Sequence, residues 1–328
     1  MKIFNVLSDA SKTVKKTDFP KITQFFLFFD VVYCRLRFHA VGKEYLMYRF
    51  YEHKNRYRKD FLTAYDMEYG IRRINEKGFT GSKYNLSLRL SEFYGREVIL
   101  APACTEELFV AFARKHKRIV LKPDKGSCGR GVTEFNYIDD DQAREFFSEI
   151  RGRVACEEYI VQHEIMDKIN PYSVNTVRIV SLLDGDKVIF ACSTFRTGTS
   201  SEKITDNLSR GGIGAQVDVE TGIVTTTGFD YKGNRYVNHP VSGVQFIGFR
   251  IPNWDKVAQL VTKAHRKCPT CKLLGWDIAV TADGAVIVEA NNAPDAPHTQ
   301  LGDLVPKGKD AHRIMKTGKK YRPPKKKK

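Results

Sequence analysis

The chain has no run long enough to cross a membrane. Its most apolar N-terminal stretch, Phe25 to Tyr33, is short and contains Asp30, whereas a spanning helix needs about 20 apolar residues; a buried helix is expected there. No signal-peptide pattern is seen, and the seven cysteines are scattered and odd in number. A disulfide framework is therefore not expected, and a cytoplasmic setting is. Cys268-Pro-Thr-Cys271 is a lone CxxC with neither a second pair nor paired histidines, which argues for free thiols beside a turn rather than a zinc knuckle. Zinc-finger spacing and interleaved aromatic-basic modules are missing too, so sequence-specific nucleic-acid reading is not expected.

Acidic residues are the scarcer charge: 38 Asp and Glu against 54 Lys and Arg leave a net +16. From Lys307 to Lys328 nine Lys and two Arg face Asp310 alone, so this end carries +10 and the rest of the chain +6. With Pro323-Pro324 and four terminal lysines it cannot build a core, and residues 307–328 read as a disordered basic tail. Such a tail favours anionic partners, namely an acidic membrane surface, an acidic polysaccharide or nucleic acid, or serves only solubility. Tyr45 to Arg58 carries aromatics and bases together on what reads as an amphipathic helix, either packed on the body or laid on anionic lipid. A length of 328 residues suits several subdomains: a helical region over 1–75, lobes over 76–160 and 161–306, and the tail.

Against these absences stands Gly275 to Pro294. Ile278 to Thr281 and Ala285 to Val288 are β-branched or small and apolar, and Ala282-Asp283-Gly284 between them is a hairpin signal. Asp277 then starts one strand where Glu289 ends its partner. Glu289 and Asn291, two apart, point the same way in extended chain. Three oxygen donors, Asp277, Glu289 and Asn291, suit a hard cation shared with phosphates; the bland alternative is a solvated acidic rim.

Arg118 to Val132 reads as strand, glycine-rich loop, strand. Gly126, Gly129 and Gly131 let backbone N–H groups close over phosphate oxygens, and Lys122 adds a point charge. No Gly-Lys-Ser/Thr ends the loop at a helix, which excludes a Walker A motif, and the loop leads into a strand rather than opening a helix as a dinucleotide fingerprint would. Further on, Ser173 to Leu183 forms a β-branched strand holding Arg178, and Arg196 ends a second strand joined through Asp184-Gly185-Asp186. Both guanidiniums could line one sheet face, aimed at phosphate or a substrate carboxylate, or forming a salt bridge.

Lys83, KPDKGSCGRGV, NTVRIVSLL, DNLSRGGIGAQVD and EANNAPD together resemble the ATP-grasp superfamily, and within it the sugar-transfer-associated ATP-grasp group, over about Lys83 to Asp295. The resemblance implies an α+β fold of two lobes clasping MgATP, with ATP and Mg2+ as cofactors. It makes Lys83 and Lys122 the nucleotide lysines, although Ser82 stands where many relatives have Asp. Gly126, Ser127, Gly129, Arg130 and Gly131 become the loop over the phosphates. Glu158, Tyr159 and Ile160 become the adenine hinge, and Glu164 the ribose acid. Asp277, Glu289 and Asn291 become the metal ligands, with Arg178, Arg196 and Asn207 near the transferring group.

The activity implied is amide formation: γ-phosphate moves to a carboxylate, an amine displaces it, and ADP and phosphate leave. An amino acid or amino sugar joined to a glycan carboxylate in polysaccharide synthesis is the expected pairing. A small-molecule kinase using Asp206 or His298 as base, and a catalytically silent polyanion-binding adaptor, remain alternatives.

Overall fold

Short β-branched runs separated by glycine turns build two antiparallel sheets in the computed structural model, which describes residues 3–126, 129–199, 208–295 and 300–318. The smaller sheet holds β1 (Val98–Ala101), β2 (Arg118–Pro123), β3 (Thr133–Asn136) and β4 (Val154–Glu158) in the order β1-β4-β2-β3. Helices Glu106–His116 and Asp140–Glu149 accompany it. Thr105 and Asp139 cap them by accepting from the backbone N–H groups of Leu108 and Gln142, which satisfies donors the first turn leaves unpaired. Ile119, Leu121 and Cys156 share a core with Phe109, Phe112 and Phe135. By the two-residue period of a strand, Val120, Lys122 and Glu157 then look the other way.

The larger sheet holds β5 (Thr176–Asp184), β6 (Lys187–Thr197), β7 (Ile213–Val217), β8 (Gly228–Phe229), β9 (Arg235–Tyr236), β10 (Leu273–Thr281) and β11 (Gly284–Asn291), in the order β11-β10-β5-β6-β7-β8-β9. Helix Trp254–Arg266 packs Val257, Val261 and Ala264 against Trp276, Ile278 and Val280, all fully buried. Each such side chain contributes about 1.5–3 kcal/mol relative to exposure. Trp276 and His265 are paired through one hydroxyl in this layer: Trp276 Nε1 donates to Ser181 Oγ at 2.8 Å, and His265 Nδ1 lies 2.6 Å from the same oxygen. Burial holds His265 neutral, pushing its pKa down to about 4. Cys268 and Cys271 are buried beside it.

Three sequence expectations change here. Phe25 to Tyr33 lies in helix Lys21–Arg37, of which only Val31 and Cys34 are buried; Phe25, Phe26, Phe29 and Tyr33 are exposed. Tyr45 to Arg58 is not one helix. Arg49 adopts a left-handed conformation, φ 49°, and splits the segment into Gly42–Met47, Phe50–Glu52 and Asn55–Arg58. Tyr45, Tyr48 and Phe50 fill the N-terminal core, so this segment packs on the body. The folded chain also continues past Pro306. Helix Lys309–Thr317 spaces Ala311, Ile314 and Met315 to meet Leu62, Ile71 and Leu182, an apolar stripe hidden within a basic run. Residues 319–328 lie outside the described residues.

Candidate functional site

A cleft opens between the sheets. Lys83, Lys122, Gly126, Gly129 and Arg130 line it together with Glu158, Tyr159, Ile160, Arg196, Asp277 and Glu289. Val120, Val132, Ile160, Val174 and Val288 from both lobes give it apolar walls. The Tyr159 ring there is overlaid by the Arg118 guanidinium, 3.7 Å from its centroid, and Arg118 is itself paired to Glu134 at 2.7 Å.

Its lining also holds charged groups. In β10 and β11, Asp277 faces Glu289 and Gly275 faces Asn291, with a β-bulge beside Asp277. Cross-strand partners on one face bring side chains within about 4.5–5.5 Å. Asp277 also pairs in register with Arg178 of β5. Its carboxylate accepts from Arg178 Nη2 and Arg196 Nη1, each at 2.8 Å. Burial opposes ionisation of Asp277, but the two guanidiniums outweigh it and lower the pKa to about 2.

Glu289 differs. Among the described residues its carboxylate accepts no hydrogen bond and forms no ion pair. Burial, then the Asp277 charge, raise its pKa, with Lys83, Lys122 and Arg178 opposing. The neighbouring Asn291 has a buried Nδ2 without a hydrogen-bond partner. Two facing carboxylates, one of them unpaired, with an amide oxygen alongside, fit a hard divalent cation. No three His, Cys, Asp or Glu side chains converge among the described residues, so such an ion would draw its remaining ligands from phosphate oxygens and water.

On the opposite wall Lys122 Nζ donates to Glu157 at 2.7 Å, and Arg96 Nη2 donates to the same carboxylate at 2.6 Å. Burial lowers the Lys122 pKa, Glu157 opposing. Glu157 is also buried, which works against its charge, yet Arg96 and Lys122 hold it below the usual carboxylate range. Arg96 further donates to the carbonyls of Ile287 and Val288 at 2.6 and 3.3 Å, fastening one lobe to the other. Neither Glu157 nor Arg96 stands out in the sequence. Glu157 and Glu158 are adjacent in β4 and so face opposite ways, and nothing in the sequence says which of the two meets the cleft.

Lys83 opens helix Lys83–Arg89, capped by Ser82, and its Nζ donates to the Gly126 carbonyl at 3.0 Å. Asp124 fixes this junction by accepting from Ser82 Oγ and the Tyr84 N–H. Gly126, Gly129 and Gly131 all have positive φ, 134°, 63° and 70°, where other residues are strained. Arg210 Nη1 donates to the Gly129 carbonyl at 3.2 Å. Glu164 is not brought in: it is exposed at the start of helix Glu164–Asp167 and does not line the cleft. Tyr172, Ser173 and Thr176 do. Ser127 and Asn207 lie outside the described residues, as do Asp206 and His298.

The model of the family described as sugar-transfer associated ATP-grasp matches residues 105–307. The chain belongs to the sugar-transfer associated ATP-grasp family. The two lobes are thus the lobes of an ATP-grasp fold. Among solved structures the chain is similar to phosphoribosylamine–glycine ligase from Thermotoga maritima, at 13% identity over 77% of this chain and 56% of that one, TM-score 0.46. It is similar to D-alanyl-alanine synthetase A from Vibrio cholerae O1 at 10% identity, covering 72% and 60%, TM-score 0.42. The ATP-grasp ligase PsnB complexed with minimal precursor, Mg and ADP is 14% identical, with coverage of 65% and 50%, TM-score 0.37. This family member thus spans between half and three fifths of those chains' length. No curated protein matches it.

Proposed function

We propose that the protein is an ATP-dependent ligase that activates a carboxylate as an acyl phosphate and joins it to an amine. The observation that carries this reading is the lining of the cleft: apolar walls from both lobes together with an unpaired Glu289 facing Asp277 among Lys83, Lys122, Arg178 and Arg196. A purine suits the apolar walls and a metal-bound triphosphate the charged groups. Backbone groups of Glu158 to Ile160 would read the adenine edge. Lys83 and Lys122 would hold the α and β phosphates, with the glycine loop and Arg130 closing over the γ-phosphate. Asp277, Glu289 and Asn291 would hold Mg2+, which when bound supplies charge neutralisation on the phosphate oxygens.

In the reaction a substrate carboxylate oxygen bonds to the γ-phosphorus as the bond to ADP breaks. An amine nitrogen then bonds to the acyl carbon, gives up a proton, and phosphate departs. Arg178 and Arg196, preset by Asp277, present guanidinium charge where negative charge develops. The family's association with sugar transfer supports a glycan carboxylate, such as a uronic acid, and an amino acid or amino sugar as the pair, in polysaccharide synthesis in the cytoplasm.

The test is release of ADP and phosphate from MgATP by the purified protein across mixtures of amino acids and uronic-acid sugars, with Glu289→Gln as control. Release of both products only when carboxylate and amine are present together supports ligation. ADP without free phosphate would assign a kinase, and persistent turnover in Glu289→Gln would sink the metal assignment.

A further inference from the structure

Helices Ile3–Val14 and Lys21–Arg37 pack on the N-terminal core through Val6, Ala10, Val14, Val31 and Cys34. The outer face of the longer helix is also apolar. Ile22, Phe25, Phe26, Phe29, Tyr33 and Leu36 are 42–66% exposed, and their spacing of 3, 4, 7, 11 and 14 from Ile22 draws one stripe along a helix about 25 Å long. Rings on this stripe meet each other edge-on, Phe25 with Phe26 at 5.7 Å and with Phe29 at 5.1 Å. On the shorter helix Ile3, Phe4 and Leu7 are 41–76% exposed. Soluble surfaces rarely gather so many large apolar groups without a use.

The charge of the same segment is sorted by side. Asp30 is turned inward, accepting from Arg58 Nη1 at 2.6 Å and Tyr45 Oη at 2.6 Å. Asp9 accepts from the Gly42 N–H at 2.8 Å. Of the acids in residues 3–40 only Asp18 is exposed, whereas Lys12, Lys15, Lys16, Lys21 and Arg37 all are. An exposed apolar, aromatic stripe in a segment whose exposed charge is mostly basic matches the interface of an anionic bilayer. A second copy of the chain fits poorly, since a two-fold contact sets each patch against itself and cations against cations. No described helix is long and apolar enough to cross a membrane.

We propose that this face seats the protein on an anionic membrane surface, with the aromatic stripe entering the headgroup layer and the flanking lysines contacting lipid phosphates. The inference is independent of the nucleotide site.

The test is sedimentation of the full chain with phosphatidylcholine vesicles, with and without phosphatidylglycerol. The protein is expected to pellet with the anionic vesicles, less so as salt rises. Phe26→Ser with Phe29→Ser should lower the partition coefficient about tenfold or more. Lys15→Glu, Lys16→Glu and Lys21→Glu together should remove the preference for anionic over neutral vesicles. A chain ending at Gly318 should keep the dependence on Phe26 and Phe29; if that dependence vanishes, the basic tail is the anchor and the proposal fails. It fails equally if the serine variant binds as wild type does, or if wild type is a dimer that these serines dissociate and no vesicle is bound. Should the serine variant not fold, Phe29→Trp gives a second readout. Trp254 and Trp276 are buried, so a blue shift on adding anionic vesicles reports insertion, and unchanged emission overturns it.

Discussion

Each wall of the cleft holds a buried carboxylate between two bases, but the two clusters are wired differently. Glu157 takes Lys122 from its own sheet and Arg96, which also reaches two carbonyls of β11 across the cleft. Asp277 takes Arg178 from the adjacent strand β5 and Arg196 from β6 beyond it, both in its own sheet. The first cluster ties the lobes together and sets the position of Lys122. The second closes on itself, leaving Glu289 as a charge with no local partner. One carboxylate of the hairpin is thereby paired within the sheet and the other is left without a partner among the described residues.

The largest effect should come from Asp277→Ala, which deprives two buried guanidiniums of their shared carboxylate; a loss of about 3–5 kcal/mol in urea unfolding is expected. A loss below about 1 kcal/mol would mean that the cluster adds nothing to stability. Glu157→Gln should cost less, about 2–3 kcal/mol, because Arg96 retains the carbonyls of Tyr94, Ile287 and Val288. Equal losses would erase the distinction between the clusters.

Acid titration separates the hairpin acids by sign. Asp277 has a folded pKa of about 2 against an ordinary 3.8, so its contribution is complete above pH 4 and is lost as pH falls through 2, on the order of 2 kcal/mol. Glu289 is raised, so its protonation at falling pH stabilises the fold, and that gain disappears as pH rises through its folded pKa. The smallest effect follows: Glu289→Gln should leave thermal stability at pH 7 unchanged, or raise it by up to about 1 kcal/mol, while abolishing turnover. A clear loss of stability would show Glu289 to be structural as well.

Much of this was legible from short-range pattern. The turn between Thr281 and Gly284, the glycine loop after β2 and the Asp184-Gly185-Asp186 turn each follow from local backbone demands, and the hairpin alone brings Asp277 to Glu289. The pairing of Arg178 with Asp277 depends on β5 lying beside β10, a contact between segments 99 residues apart, which no local pattern encodes. Phe25 to Tyr33 misled for another reason. Both faces of that helix are apolar, so hydrophobicity marks the segment without saying which side meets the core. Glu164 has a plausible offset from the hinge, but the start of helix Glu164–Asp167 carries it away from the cleft.

The bulge beside Asp277 reaches further than its size suggests. Ile287 and Ala290 both face the core, at 0% and 1% exposure, although three residues apart they should alternate. Val288 is the extra residue, and it works like a one-letter shift in a reading frame of period two. Downstream of it Glu289 and Asn291 fall in phase with the cleft; in a regular strand that kept Val288 they would fall in phase with Ile287 and turn into the core. Deleting Val288 would take out the bulge and its extra residue together, so that Glu289 follows Ile287 directly and still faces the cleft. The placing of the candidate ligands therefore depends on the backbone conformation at Val288 as well as on their identities, and a survey of side chains alone would not see it.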